Sequence, residues 1–525
     1  MKFQIKRVKP VHANAELLLV GVYKNALSGG ELLSFKGHES ARLVAQAAAD
    51  KFTGKLGQVS SQFANRGRVV LFGLGDRNTL SRDQLRDALE AGFKEAKRLK
   101  VSTIAVAEID YREGGPSRAL FGRLVGEVAG LVDYAMLNFK TEKGGHKKEA
   151  RFSEVTVVVG NAVVDTVPSV LPLRGTGGYA DGLLFNRESD EELAAGMAEG
   201  FTIATAVNEA RDLVVLPPDI CTPAELARRA QQIADGSAGS VTCRLYQREE
   251  LKAMGANAFL AVAQGSDAAP VLIELTYYPA SADANVTLAL IGKSVTFDTG
   301  GYDLKPADGM RWMKGDMAGG AATLMAMQAI AALKLPVRVK VVMAATDNMV
   351  SHTAFRPSEV LHSLNGMTIE VDNTDAEGRL TLADAIEFAK RQGVTHIVDV
   401  ATLTGAIKAA LGTLGAGAFT NNDELFGKLE QACARSGELV HRFPMWPGYA
   451  RANESKIADL KNSGGAAFGA GSITAAWFLR KFAGETPWIH LDIAGVGVKD
   501  EEGTGWGVRS LVELARLFAE QPRKG

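Results

Sequence analysis

The chain has 525 residues, 46% hydrophobic and 23% charged, with 59 basic side chains against 60 acidic ones and a formal net charge of −1. That length exceeds one ordinary core and predicts two units, while the composition excludes a disordered chain. The balanced charge gives no support to a nucleic-acid partner, and three scattered cysteines, Cys221, Cys243 and Cys433, exclude a disulfide framework or a thiolate zinc site and suit a reducing, cytoplasmic compartment.

The opening "MKFQIKRVKPVHANAELLLVGVY" is basic and then apolar, but Glu16 interrupts the apolar part, so it reads as a first strand and not as an export signal. No charge-free apolar run of 18 residues follows anywhere, and no membrane span is expected. The runs "AELLLVGVY", "GRVVLFGLGD", "STIAVAEID" and "EVTVVVGN" are strand-like, and "SRDQLRDALEAGFKEAKRL" is an amphipathic helix. Their alternation predicts an N-terminal α/β domain over residues 1–190. The glycines Gly73 and Gly75 begin a dinucleotide fingerprint, but Asn78 stands where its third glycine belongs, which leaves a strand-to-helix turn. Around "LPLRGTGGYADGLLFNRESDEE" the pattern breaks into glycines and charges, and the boundary is placed there; a long helix is expected from near Glu191 to about Val215. Next, "LPPDICTPAELARRAQQIA" offers Thr222 as a helix N-cap with Pro223 at the first helical position. The remainder, residues 191–525, carries "VTLALIG", "VRVKVVMAAT", "HIVDVAT" and "WIHLDIAG", short apolar runs separated by helix-length segments. Such runs predict a C-terminal mixed, largely parallel sheet flanked by helices.

Two polar clusters follow these buried runs. "KSVTFDTGGYDLKP" supplies Lys293, Asp298 and Lys305, and "MKGDMAGGAATLMAMQAI" supplies Asp316 where small residues open a helix. The string "GKS" lacks the first glycine of a phosphate-binding loop, Thr287 standing in its place. Taken singly, the lysines read as surface residues, Asp298 as a turn former and Asp316 as a cap. The second cluster is "NTDAEGRL": if extended, it projects Asn373, Asp375, Glu377 and Arg379 from one face, either as the solvated side of an edge strand or as a site. Were the clusters to converge, three aspartates and a glutamate would repel one another unless cations lay between them. Two divalent metals, about 3.5 to 4 Å apart, are the natural remedy and can hold and acidify a water for hydrolysis. The eight histidines form no metal-binding pair. Ligand softness therefore leans to Mg²⁺ or Mn²⁺ over Zn²⁺.

With "GKSVTFDTGG", "DLKP", "KGDMAGGAA" and "NTDAEGRLTLADA" assembled, the chain resembles the leucyl aminopeptidase family, cytosolic dinuclear-metal aminopeptidases. "ATLTGA", "NSGGAAFGAGSITAAWFL" and "PWIHLDIAG" extend the likeness over most of residues 200–510; for the first 190 residues it is weak. The resemblance implies that Asp298 and Glu377 bridge the metals, that Lys293 and Asp316 complete one site, and that Asp375 completes the other. It implies zinc, with manganese or magnesium able to exchange at the looser site. Lys293 would bind as an uncharged amine; without metal it would stay protonated and salt-bridged to its neighbours. Lys305 would polarise the scissile carbonyl, and Arg379 would anchor a bicarbonate ion acting as general base. A bridging hydroxide would attack peptides with a free N-terminus, a leucine-like residue being one candidate for the first position. Asn373, Thr402, Leu403 and Gly405 would line the substrate cleft and Met313 the side-chain pocket. A homohexamer is also implied. Ser294, the tyrosine of "TGGYDLKP" and the segment "DNMVSHTAFRPSE" depart from the commoner family pattern. The competing readings are a catalytically idle structural or DNA-binding relative and a carboxylate-rich Mg²⁺ phosphohydrolase.

Overall fold

A computed structural model describes residues 1–8, 13–29, 38–64, 67–109, 116–136, 139, 151–159, 190–465 and 467–520. The chain divides into two compact units, Met1–Ala135 with Phe139–Thr205, and Ala206–Gly525 with Met136–Asn138. Most of the glycine-rich stretch chosen from the sequence as the boundary lies outside the described residues.

The first unit is built on strands β1 (Lys2–Lys6), β2 (Leu17–Tyr23), β3 (Val59–Ala64), β4 (Gly67–Gly75), β5 (Thr103–Ala107) and β6 (Glu154–Val158), in the order β1-β6-β5-β2-β4-β3. Every neighbouring pair is parallel except β3 with β4. Its helices are α1 (His38–Ala49), α2 (Arg82–Arg98) and α3 (Arg118–Val132). The amphipathic run begins where its capping chemistry dictates. The amide of Gln84 donates to Ser81 Oγ at 3.2 Å, and Ser81 N–H donates back to Gln84 Oε1 at 2.9 Å. Leu85, Ala88, Leu89, Phe93 and Ala96 then fall on one face and are buried in the unit's core. The glycine pair at Gly73 and Gly75 closes β4, and α2 starts only at Arg82, so the strand ends in a loop with no helix terminus at the glycines.

Helix α4 (Asp190–Val215) starts and ends where its sequence pattern indicates, and the division between the units falls within it. In the second unit the chain runs through α5 (Pro223–Gly236), β7 (Val241–Tyr246), α6 (Arg248–Met254), α7 (Asn257–Val262), β8 (Val271–Tyr277), β9 (Thr287–Asp298), α8 (Ala307–Met310), α9 (Ala318–Ala332) and β10 (Arg338–Asn348). It continues through β11 (Val360–His362), β12 (Thr368–Glu370), α10 (Gly378–Arg391), β13 (His396–Ala401), α11 (Gly405–Leu411), β14 (Gly415–Thr420) and α12 (Asp423–Ser436). The last elements are β15 (Leu439–Arg442), β16 (Leu460–Lys461), α13 (Gly471–Ala483), β17 (Trp488–Asp492), the short hairpin β18 (Val498–Lys499) and β19 (Glu502–Gly503), and α14 (Val508–Ala519). Thr222 caps α5, its Oγ1 accepting from Glu225 N–H at 3.3 Å, with Pro223 in the first turn.

The main sheet has the order β15-β14-β17-β13-β9-β10-β8-β7. Its centre, β17, β13, β9 and β10, is parallel, and antiparallel pairs flank it on both sides. The fold is therefore mixed α/β with a parallel heart. The carboxyl ends of four adjacent parallel strands thus lie at one edge of the sheet, the place where open α/β sheets form ligand crevices. Small residues let the helices come close. A Cβ on Gly319 would lie 2.0 Å from the Val400 carbonyl oxygen, and one on Gly320 would lie 2.2 Å from Ser294 Oγ, so α9 seats directly on β13 and β9. Ser294 is fully buried under that helix and donates to the Gly292 carbonyl, so this departure from the family pattern is taken up by packing away from the crevice. Among the described residues no helix is long and apolar enough to cross a membrane, and all three cysteines are free.

Candidate active site

Strand β9 sets the site's axis. It runs unbroken for 12 residues to Asp298, beyond the "VTLALIG" expected from sequence, so Lys293 and Asp298 belong to the strand and do not follow it. The reason is β10, which stays paired with β9 through Lys293, Ser294 and Val295 to Asp298 after β13 has left it at Gly292. "NTDAEGRL" departs further from expectation. Residues 373–377 form an irregular turn instead of an extended row, and Gly378 begins α10. Local chemistry sets this turn, since Asn373 Oδ1 accepts from Asp375 N–H at 2.7 Å, a side chain closing on the backbone two residues ahead. Glu377 is then the residue preceding α10, and Arg379 lies in its first turn.

The turn nevertheless brings the clusters together. Carboxylate oxygens of Asp298, Asp375 and Glu377 all lie within 4.8 Å of one another. Lys293 Nζ stands 2.7 Å from Asp316 Oδ2 and 2.8 Å from Glu377 Oε1. Lys305 Nζ contacts Asp298 Oδ2 at 2.7 Å and also Asp375. Gly378 is required here: a Cβ would lie 2.4 Å from Lys293 Cε. A third strand end contributes the loop after β13, where the Thr402 carbonyl accepts from Lys293 at 3.2 Å and Thr402 Oγ1 donates to Asp316 Oδ1 at 2.7 Å. These residues, with Arg379, Asn373, Met313, Leu403 and Gly405, line one cavity of about 910 Å³. Every residue expected from sequence therefore reaches the same cavity.

Two positioning groups went unremarked in the sequence. Asn348, the last residue of β10, is fully buried and donates from Nδ2 to Asp298 Oδ1 at 2.8 Å. That oxygen also accepts from Gly300 N–H at 2.8 Å, so one edge of the Asp298 carboxylate is fixed while the other faces the lysine. Asp492, the last residue of β17, is also fully buried. It accepts from the amides of Leu403 at 3.2 Å and Thr404 at 3.4 Å and from Thr404 Oγ1 at 2.6 Å, holding the Thr402 loop against the sheet. The only sequence signal for either was a polar residue at the end of a strand run.

The electrostatics are lopsided. Four carboxyl groups, those of Asp298, Asp316, Asp375 and Glu377, face two ammonium groups, so acids outnumber bases two to one before Arg379 is counted. Burial pushes Asp298 up to about 6, Glu377 adding to the rise and Lys305 and Lys293 opposing it. Burial also raises Asp316 well above the carboxylate range, and Asp375 less so. Glu377 goes the other way: burial resists ionisation, but Lys293 and Lys305 hold it below its usual value. Both lysines are held protonated, because the surrounding carboxylates outweigh the desolvation that would lower them. This is the salt-bridged arrangement expected of Lys293 beside carboxylates alone.

The donor set fits a pair of divalent cations on two observations. Asp316 Oδ2 and Glu377 Oε1 are buried and, among the described residues, reach only Lys293 Nζ, at 2.7 and 2.8 Å, so both oxygens converge on one point that a cation could share. Neighbouring carboxylates in three positions offer the oxygen-rich, bridging geometry that hard or borderline cations take. Arg379 differs in kind. Its Nη1 donates to the Asn462 carbonyl at 2.6 Å, while its buried Nε has no hydrogen-bond partner among the described residues. Burial lowers its guanidinium to about 10, still charged at neutral pH, so a planar anion would be a fitting partner.

Comparison with known proteins agrees with this geometry. The family described as "Cytosol aminopeptidase family, catalytic domain" matches residues 208–512, and "Cytosol aminopeptidase family, N-terminal domain" matches residues 19–143. A probable cytosol aminopeptidase of Koribacter versatilis (strain Ellin345) is 36% identical, covering 99% of this chain and 100% of its own length. One of Synechococcus sp. (strain JA-3-3Ab) is 39% identical over 98% of this chain and 99% of its own. Among solved structures, a mutant of tomato leucine aminopeptidase superposes with a TM-score of 0.82 at 32% identity, covering 98% of this chain and 96% of its own. The bottromycin maturation enzyme BotP in complex with Mn gives a TM-score of 0.77 at 31% identity, with coverages of 96% and 100%.

Proposed function

The chain belongs to the cytosol aminopeptidase family and is a metal-dependent aminopeptidase, and we propose that Lys293, Asp298, Asp316, Asp375 and Glu377 hold its two divalent cations while Lys305 and Arg379 act on the substrate. The observation that carries this reading is the convergence of the Asp298, Asp375 and Glu377 carboxylates within 4.8 Å, with Lys293 and Asp316 joined to the same cluster. When bound, such a pair of cations acidifies a water and polarises a carbonyl oxygen.

The chain's own residues define the rest. Asp316, buried and aimed into the cavity, would receive the free α-amine of the substrate, which confines cleavage to the first peptide bond. Thr402 fixes the Asp316 carboxylate for that task. Lys305 Nζ, already placed between Asp298 and Asp375, would donate to the scissile carbonyl oxygen and stabilise the charge that grows there. Arg379, with Nε uncommitted, would hold bicarbonate as the general base that takes the proton of the attacking water. Asn373, Leu403 and Gly405 would line the cleft and Met313 would wall the side-chain pocket, an apolar surface suited to a leucine-like first residue.

Zinc, with manganese or magnesium at the looser site, is the metal pair we assign; the BotP structure in complex with Mn supports manganese as one of the ions. The family's name supports a cytoplasmic location. A homohexamer is the assembly that the family resemblance implies, and exposed apolar side chains such as Leu414, Leu439, Trp446 and Ile457 are available for subunit contacts. The first unit would serve assembly or access to the cleft. An idle or DNA-binding role is not favoured by the complete set of ligand and catalytic side chains. Hydrolysis of Leu-Gly compared with its N-acetylated form tests the amine-anchored reading: the free peptide is cleaved and the blocked one is not. Equal rates on both would exclude it.

A further inference from the structure

The geometry points to Asn462 as the residue that positions the metal-binding turn and Arg379 relative to each other, an inference that rests on the ligand roles proposed for Asp375 and Glu377. Residues 372–377 belong to no helix or strand, so the turn lacks a ladder to fix it, and its backbone groups must find partners elsewhere. One side chain supplies most of them. Asn462 Oδ1 accepts from the amides of Asp372 at 2.8 Å and Asn373 at 3.2 Å. Asn462 Nδ2 donates to the carbonyls of Asn373 at 2.7 Å and Ala376 at 3.3 Å. A primary amide offers two donors and two acceptor lone pairs, and all are spent on this turn. No other side chain of that size offers two donors and two acceptor lone pairs at once, and Asn462 is fully buried.

The main chain of the same residue completes the arrangement. Its carbonyl accepts from Arg379 Nη1 at 2.6 Å, and its N–H donates to the Glu370 carbonyl at 3.0 Å. That last bond continues the pairing of β16 with β12, where Glu370 lies opposite Lys461. The strand end is therefore fixed by the sheet, the turn is fixed by the side chain, and the guanidinium is fixed by the carbonyl. Asp303 and Asn348 hold the turn at Thr374, but Asn462 alone joins the backbone on both sides of Asp375 to the carbonyl that binds Arg379, from some 89 positions away in sequence. Asn462 touches neither metal nor substrate in this account; it acts through the groups it holds.

The test is Mn²⁺ binding to the full chain after chelation, read by calorimetry, in the parent, Asn462→Ala, Asn462→Asp, Asp375→Asn and Asn421→Ala. Asn421 is a comparator from the same unit, an amide that bridges Gly484, Thr486 and Trp488 far from the turn in sequence and outside the site's lining. The inference expects Asn462→Ala to weaken Mn²⁺ binding at least tenfold and to lower kcat more than it raises KM. Asn462→Asp keeps both acceptor contacts but sets a buried carboxylate oxygen against the carbonyls of Asn373 and Ala376, and should lose at least as much as Asn462→Ala. Asn421→Ala should keep the parent's Mn²⁺ affinity even where its melting temperature drops. Parent-like Mn²⁺ binding in Asn462→Ala, or an equal loss in Asn421→Ala, overturns the positioning role. Should Asn462→Ala not fold, Asn462→Asp decides alone, parent-like binding and kcat overturning the role. The two failures stay distinct: if Asp375→Asn binds Mn²⁺ as the parent does, the ligand assignment itself has failed, whereas loss in Asp375→Asn without loss in Asn462→Ala removes only this inference.

Discussion

Lys305 shows how much one side chain can be asked to do. Its Nζ is shared between Asp298 and Asp375, so two of the carboxylates proposed as ligands set its position in the cavity. Lys305→Ala removes a donor to the developing oxyanion without removing a ligand. Losing such a donor costs about 10² to 10³ in turnover. We expect kcat to fall in that range while metal content, measured on the purified variant, stays at the parent's level; loss of metal together with activity would make Lys305 a structural cation instead. Gly378 is the converse case, a residue defined by what it lacks, since the space its Cβ would take is filled by the Lys293 side chain.

At the scale of elements, α10 links the site to the core. Its first turn carries Arg379, and further along Asp384 turns inward, accepting from Leu364 N–H at 2.7 Å and Phe259 N–H at 2.9 Å. Burial pushes this carboxyl up to about 7. The sign follows from proton linkage. Between the ordinary carboxylate pKa near 4 and about 7 the folded chain holds a proton that the unfolded chain has released, so the stability from this group is full below that window and is lost as pH rises through it. Asp384→Asn leaves one backbone N–H without an acceptor, a cost of about 1–3 kcal/mol, but it cannot ionise. Urea unfolding at pH 5 and pH 8 should show the parent losing more stability over that interval than the variant. Equal losses would mean that the carboxyl does not titrate there.

Elements governed by local chemistry were legible in the sequence. The cap at Ser81, the Thr222–Pro223 start of α5 and the span of α4 all depend on residues within a turn or two of each other, and the structure places them as expected. The extension of β9 to Asp298 and the turn at "NTDAEGRL" were not legible in the same way. The first depends on β10, which stays paired with β9 beyond the point where β13 leaves it, and the second on Asn373 closing locally while Asn462 holds the backbone from a distance. The residues picked out by charge and by the family resemblance nevertheless line one cavity, because neither criterion depends on backbone conformation. Asn348 and Asp492 escaped because polar residues at a strand end, in "ATDN" and "IHLD", carry no periodicity that marks one of them for the site.

For the whole molecule, the sheet gathers four parallel strand ends, and residues far apart in the chain meet there: Lys293 and Asp298 from β9, Thr402 after β13, Asp375 and Glu377 before α10. The proposed homohexamer belongs to this scale as well, and sedimentation velocity should give a particle of six chains; a monomer at micromolar concentration would remove that proposal. The central claim is that this convergence holds two divalent cations on which hydrolysis depends. Its most direct test is to titrate the chelated chain with Mn²⁺ while following both bound metal and Leu-Gly cleavage. The account predicts two equivalents bound per chain and activity that appears as they bind, with Asp375→Asn losing at least one equivalent and nearly all turnover. Full activity before any metal is added, or an Asp375→Asn variant that binds two equivalents and turns over like the parent, would contradict it.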